Sequence, residues 1–358
     1  MACTGATYNG QLTSRQNKKI VEFRGRIVMK RLGLFVLSAA LLAAGVANAP
    51  AQDKYPDRPI RILVPYGPGG ATDIAARILG NEMAAIAGQS VLVINKPGAF
   101  GLLAIDEMAK SAPDGYTLMV GNVSTNAITP IIYAKKLSVN YDKDVIAVSN
   151  IVDVPAFLLA TATDFPPTTA AELIAYAKKN PGKLRFATVG VGSYPHYDMA
   201  YFAKRAGNLE MSDLPNKNGA AGAIQDMVRG DAQIAFLNVG STAGMVQAGK
   251  LRALAVVNHT RLEAYPDVPT MKEIGYADVG TIAWNALFAP AATPKPIQEA
   301  LFKIVTKAMQ SPDLIEKFKK QNSNVVPSQS LADAKTWLAG ELKHWETITG
   351  AVKIETPQ

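Results

Sequence analysis

Hydrophobic positions along this chain come in short runs separated by glycine, proline and polar turns, with one long exception near the start. The run Ile60-Arg61-Ile62-Leu63-Val64 has the length and β-branched content of a buried strand. Pro65-Tyr66-Gly67-Pro68-Gly69-Gly70 then turns the chain, and Ile74, Ile78 and Leu79 recur at helical spacing. The alternation continues with buried strands expected over 89–94 and 116–121 and a helix over 102–111. A connecting stretch, 130–144, leads to apolar strands over 145–151 and 156–160 and a helix over 170–179. The opening pattern then repeats as a strand over 183–189, the turn Gly190-Val191-Gly192-Ser193-Tyr194-Pro195, and a helix over 196–206. Beyond it the pattern predicts a helix ending at Arg229, strands over 233–238, 250–257 and 282–290, and tail helices over 296–310 and 331–349. Asp267-Val268-Pro269-Thr270 reads as the cap of a helix entering 271–274. Strands alternating with helices at this rhythm indicate an α/β fold with parallel sheets. In such sheets ligands sit beyond the carboxyl ends of the strands, where the glycine-rich and polar turns fall.

The exception is the apolar run from Leu32 to Val46, preceded by Met29-Lys30-Arg31 and followed by small residues. A basic start, a hydrophobic stretch too short to span comfortably and an Ala-x-Ala end make a secretory signal peptide. Cleavage is expected after Ala51 or after Ala49; the second would leave Pro50 beside the cut, which favours Ala51. Met29 is the expected start of translation, and the alternative is that 32–49 stays on as an anchor. Removing the leader changes the charge. Seven of the 37 Lys and Arg side chains and one of the 29 acids precede residue 52, leaving 30 against 28, net +2 in place of +8. So small an excess gives no persistent basic face, which argues against nucleic acid as a partner. The single cysteine, Cys3, also precedes the cut, so the remainder has no disulfide and no thiol chemistry. About 300 residues, nearly half of them hydrophobic, are enough for two domains.

The two strand–turn–helix units carry the candidate chemistry. Each gathers free backbone N–H groups at a helix start, where the helix dipole adds partial positive charge and favours an anion. The bland alternative is a tight turn that needs glycine and binds nothing. No Gly-Lys-Ser/Thr follows either turn, so a nucleoside triphosphate fits poorly. Neither loop contains Arg or Lys, so an anion there would be held by dipoles and hydrogen bonds. Ser193 is the expected N-cap of the second helix and a hydroxyl donor. Asp73 either caps its own helix or meets ligand; His196 either bonds the loop or meets ligand. Trp284 either packs at a crossing between lobes or stacks on ligand, and Tyr66 and Tyr194 either line a cleft or roof the turns. Ser193, His196 and Asp73 supply the letters of a hydrolytic triad, but the spacing is wrong and no Gly-x-Ser-x-Gly elbow exists. Three histidines and no retained cysteine leave little to build a metal site, and no motif calls for a cofactor.

Pro65 to Asp73 resembles the signature loop of the Bug-type extracytoplasmic solute receptors of tripartite tricarboxylate transporters. Asn95-Lys96-Pro97-Gly98, Pro113 to Leu118, Gly190-Val191-Gly192-Ser193 with His196, Gly249 to Val256 and Pro266 to Thr270 continue the resemblance in order. It implies a two-lobed periplasmic-binding-protein clamshell, each lobe a mainly parallel sheet flanked by helices. Lobe 1 would comprise 52–150 and 282–358, and lobe 2 would comprise 151–281. It further implies a monomeric, non-enzymatic periplasmic receptor. Such a receptor captures a small di- or tricarboxylate, or an aliphatic or aromatic acid, and docks on one small and one large permease subunit. The family's ligand shell maps onto Tyr66, Gly69, Gly70, Thr72 and Asp73 in the first lobe and Gly192, Ser193 and His196 in the second. The polar strand ends add Ser124 and Asn238. Leu237 stands where relatives usually carry an aspartate, and Phe100 enlarges a loop that is commonly smaller. Both departures disfavour an amino-acid ligand and leave room for an apolar or aromatic body. A sensor that reports the same ligand to a kinase is the alternative, which adjacent genes would separate from transport.

Overall fold

The computed structural model describes residues 55–355, Lys217 apart; the expected leader with its expected cleavage sites and Cys3 lie outside the described residues. In chain order the strands are β1 (Ile60–Val64), β2 (Val91–Asn95), β3 (Thr117–Asn122), β4 (Val145–Val154), β5 (Ala156–Thr161), β6 (Leu184–Thr188), β7 (Met211–Pro215), β8 (Ile234–Asn238), β9 (Leu251–Val257), β10 (Ala283–Pro290) and β11 (Asn324–Val325). They form two sheets, in the orders β11-β4-β10-β3-β1-β2 and β7-β6-β8-β5-β9. In the first sheet only β10 and β11 run against the other strands, and in the second only β5 does. Each sheet is therefore mixed but mainly parallel, as expected of a two-lobed binding-protein fold. The chain leaves the first sheet at Val154, enters the second at Ala156 and returns through Thr281 to β10.

Local sequence explains the elements that frame the first turn. In β1, Ile60, Ile62, Leu63 and Val64 are fully buried, while Arg61 points outward to Glu107 at 2.8 Å. Helix α1 (Ala71–Ala87) buries Ala75, Ala76, Leu79 and Met83 and stops at Gly88, whose φ of 67° suits glycine. Helix α2 (Leu102–Lys110) and helix α3 (Ala170–Lys179) fall where the periodicity placed them. Helix α4 (Tyr194–Arg205) carries the second turn. It is followed by α5 (Gly219–Arg229), α6 (Val239–Gln247), α7 (Lys295–Met309), α8 (Pro312–Lys320) and α9 (Leu331–Ala351). Short helical turns at Ser124–Ile128, Thr129–Ile132 and Tyr141–Asp144 occupy the connecting stretch.

One core wraps the first sheet, and Tyr194 and Tyr197 at the start of α4 belong to it, with Tyr197 edge-on to Trp345. Two cores cover the faces of the second sheet. Leu158 joins one and Phe157 and Leu159 the other, as alternation along β5 requires. The return crossing is tied to α4 by Asp198, which accepts from the Thr281 N–H at 3.0 Å and hydroxyl at 2.7 Å.

Several elements differ from the pattern-based reading. β2 is an edge strand rather than a buried one; its alternate residues Leu92 and Ile94 are 50% and 36% exposed. The expected helix at 271–274 is only a turn. Thr270 and Glu273 exchange reciprocal cap hydrogen bonds, but Gly275, at φ 87°, ends it at once. β7, α6 and α8 were not foreseen. No helix among the described residues is long and apolar enough to cross a membrane.

Candidate functional site

The first turn is braced from behind by Asp73. Its buried carboxylate accepts the Gly69 N–H at 2.9 Å, Asn95 Nδ2 at 2.8 Å and Arg77 Nε at 3.0 Å. Asn95 also donates to the Tyr66 carbonyl, so the loop is tied to the end of β2. Burial would raise the Asp73 carboxyl, but the bonds from Arg77, Gly69 and Asn95 outweigh it and hold it below the usual carboxylate range. Its acceptor contacts brace the loop, a role distinct from the helix capping and the ligand contact weighed from the sequence. Tyr66 donates to Asn122 Oδ1 at 2.9 Å, and Asn122 donates to the Thr72 hydroxyl at 3.1 Å. Burial pushes the Tyr66 phenol up to about 12, against the opposing hydrogen bonds of Asn122, Thr125 and Ser124.

These contacts leave the start of α1 uncovered. Gly70 is its N-cap residue and no side chain caps the helix. Gly69 needs glycine because its φ is 86°, whereas at Gly70, with φ −79°, a Cβ would meet nothing within 4 Å. Neither packing nor backbone strain demands glycine at 70; free approach to the helix start is what it preserves.

The second turn is arranged differently. Ser193 occupies the N-cap position, yet its hydroxyl turns back to donate to the Gly190 carbonyl at 2.7 Å and caps nothing. This corrects the expectation of a capping serine. The first N–H of α4, that of Tyr194, donates to Ser124 Oγ at 3.2 Å, so the first lobe already occupies this helix tip. His196 accepts the Gly192 N–H on Nδ1 at 3.4 Å and lies edge-on to Phe186. Burial lowers its pKa, opposed by Asp213, so the ring is a neutral part of the loop. The Tyr194 hydroxyl donates to Asn238, and burial raises its pKa, with Asp198 and Tyr66 adding to the effect.

A cavity of about 140 Å³ opens at the start of α1, between elements of the two sheets. Gly69, Ala71 and Ile74 form one wall, and Asn238, Gly240 and Ser241, at the start of α6, form another. Val152 and Asn285 from the crossing strands and Phe318 from α8 complete it. At Gly240 a Cβ would stand 2.7 Å from the Gln321 carbonyl, so glycine lets the second lobe close against the first there. Among the described residues lining the cavity, none is charged. Of the expected shell, Gly69 and Asn238 line it directly. Tyr66, Thr72 and Asp73 support the loop, and Ser124, Gly192, Ser193 and His196 form the neighbouring contact at α4. Asn285, Ser241 and Phe318 were missed. For Asn285 a signal existed: it is the lone polar residue inside the apolar run Ala283–Pro290. Trp284, its neighbour on β10, faces the other way, packs against Trp337 and donates to Glu341 Oε2 at 2.7 Å.

A family model for the tripartite tricarboxylate transporter family receptor matches residues 75–354. The chain belongs to this receptor family. BugT of Bordetella pertussis is 33% identical over 329 residues, covering 90% of this chain and 98% of its own. MatC of Rhodopseudomonas palustris, solved with bound malate, superposes with a TM-score of 0.73 at 29% identity, covering 82% of this chain and 99% of its own. Rpa4515 of R. palustris, solved with adipate, superposes with a TM-score of 0.76 at 28% identity, covering 84% and 99%. The two solved structures share the fold of this chain over nearly all of their own length.

Proposed function

We propose that this receptor works in the periplasm, where it captures a small organic carboxylate and hands it to a tripartite tricarboxylate transporter without chemical turnover. The observation that carries the reading is the uncapped start of α1, opening into an interlobe cavity without charged side chains. A carboxylate placed there gains the free N–H groups and the dipole of a 17-residue helix. Malate and adipate in the two solved relatives make a small carboxylate the ligand class to expect. Gly69, Gly70 and the first turn of α1 hold the carboxylate. Tyr66, Thr72 and Asp73 keep the loop in shape, and Asn238 closes the site from the second lobe. Ser124, Gly192, Ser193 and His196 set how the lobes meet. Lobe 1 (52–150 and 282–358) and lobe 2 (151–281) move about the two crossings, and the liganded form docks on the two permease subunits. Export depends on the leader before residue 52, removed after Ala51 or Ala49.

The experiment is a thermal-shift and calorimetry panel of carboxylates on the purified protein. One acid should bind at 1:1 stoichiometry, unchanged after release, and raise the melting temperature by mass action. A panel with no binder, or an acid that is converted, would overturn the reading.

A further inference from the structure

Asn285 sits in the middle of β10, paired in register with Asn122 of β3 and Val152 of β4. It is 2% exposed, it lines the cavity, and its Oδ1 has no hydrogen-bond partner. Buried polar atoms in folded proteins are nearly always paired, because an unpaired one forfeits its hydration with nothing in return. The two neighbouring asparagines are engaged elsewhere: Asn122 serves Tyr66 and Thr72, and Asn238 serves Tyr194. Ile74, Ala75, Val152, Val154 and Phe318 give the cavity its apolar walls, and Asn238, Ser241, Gln321 and Ser323 its other polar side chains. The volume of about 140 Å³ is close to that of a cavity of about 150 Å³ known to hold benzene.

We infer that Asn285 is a specificity-determining residue that reads a hydroxyl on the body of the ligand, so that the site takes hydroxy-carboxylates in preference to their deoxy counterparts. This rests on the carboxylate reading of the site given above. A ligand with its carboxylate at the start of α1 runs its body past Ala71, Ile74 and Ala75, neighbours on one helical face, toward β10. A hydroxyl both donates and accepts, so it satisfies the carboxamide whichever way the amide is turned. A carboxylate oxygen accepts only and leaves Oδ1 unpaired, and a bare methylene leaves the whole group unpaired.

The test is calorimetry with matched pairs differing in one hydroxyl: malate and succinate, 3-hydroxybenzoate and benzoate, 4-hydroxybutyrate and butyrate. In the wild type the hydroxylated member of the best-binding pair should bind about tenfold more tightly, the size expected when a buried acceptor gains its partner. Asn285→Leu, similar in volume, should reduce that ratio to below about threefold while the deoxy acid still binds. Asn285→Ser, which keeps an uncharged acceptor in place, should retain the preference, so a folding defect in the leucine variant would not hide the effect. A ratio unchanged in Asn285→Leu, or a wild type that prefers the deoxy acid, would overturn the inference while leaving the carboxylate site intact. Absence of binding by every acid in the set would overturn the carboxylate reading, and this inference with it.

Discussion

The two glycine turns look alike as sequence and behave differently as structure. Each follows a strand, uses left-handed glycine (Gly69 in the first, Gly190 and Gly192 in the second), and opens a helix with no side-chain cap. At the first, the bracing group comes from within the helix: Asp73 reaches back to the loop, and the helix tip stays open toward the cavity. At the second, the loop closes on itself through Ser193 and Gly190, and Ser124 from the other lobe takes the first N–H. An anion-binding motif is therefore not defined by its glycines. What decides is where the nearest competing acceptor sits, and of these two turns the one at the start of α1 is free of one.

This contrast is broken most sharply at Gly70. Gly70→Asp places a negative side chain at the open helix tip and should weaken carboxylate binding by more than about 100-fold, because like charge and bulk act together. The fold should survive, since nothing stands within 4 Å of the new Cβ. Unchanged affinity in calorimetry would remove the site from α1. Next in size, Asp73→Asn turns an amide toward donors that now meet a carboxylate, and should cost about 1–3 kcal/mol in chemical denaturation. The Arg77 share of that figure is small, because its side chain is 49% exposed and solvent screens the pair.

The pH dependence separates the brace from the crossing. Asp73 has a lowered pKa, so its stabilisation is complete above the unfolded carboxylate range and is lost as pH falls through the folded value. Asp198 is pushed up to about 7 by burial, against the two bonds from Thr281. Its contribution is therefore full below about pH 4 and lost as pH rises toward 7, with a slope of at most about 1.4 kcal/mol per pH unit. Asp198→Asn should flatten the neutral side of the stability curve and Asp73→Asn the acid side; the reverse assignment would contradict both. The smallest effects belong to the second turn. Ser193→Ala and Ser124→Ala should change ligand affinity by less than about threefold, since each removes one partly shielded hydrogen bond away from the cavity.

The elements with strong periodicity were legible in the sequence, and the weakly patterned ones were not. Helices α2 and α3 and strands β1, β8 and β10 follow from the apolar spacing alone. β7 is an edge strand, Met-Ser-Asp-Leu-Pro, with no alternating face to bury and a proline at its end. α6 contains two glycines, and α8 is short and largely charged, although Ser311 as cap and Pro312 at its first position were usable signals. At the site, the glycine loop was readable because backbone requirements write themselves into residue type. The direction of the Ser193 hydroxyl and the use of Ser124 were not, because both depend on how the lobes pack. Asn285 stood out only as a polar letter in an apolar strand, and its missing partner is a fact of three dimensions.

The most direct measurement is a crystal structure of the receptor with its carboxylate bound. The expected result is a carboxyl group within hydrogen-bond distance of the N–H groups at the start of α1, with no lysine or arginine touching it. A carboxyl group seated at α4, or clamped by a basic side chain, would contradict the mechanism proposed for this site.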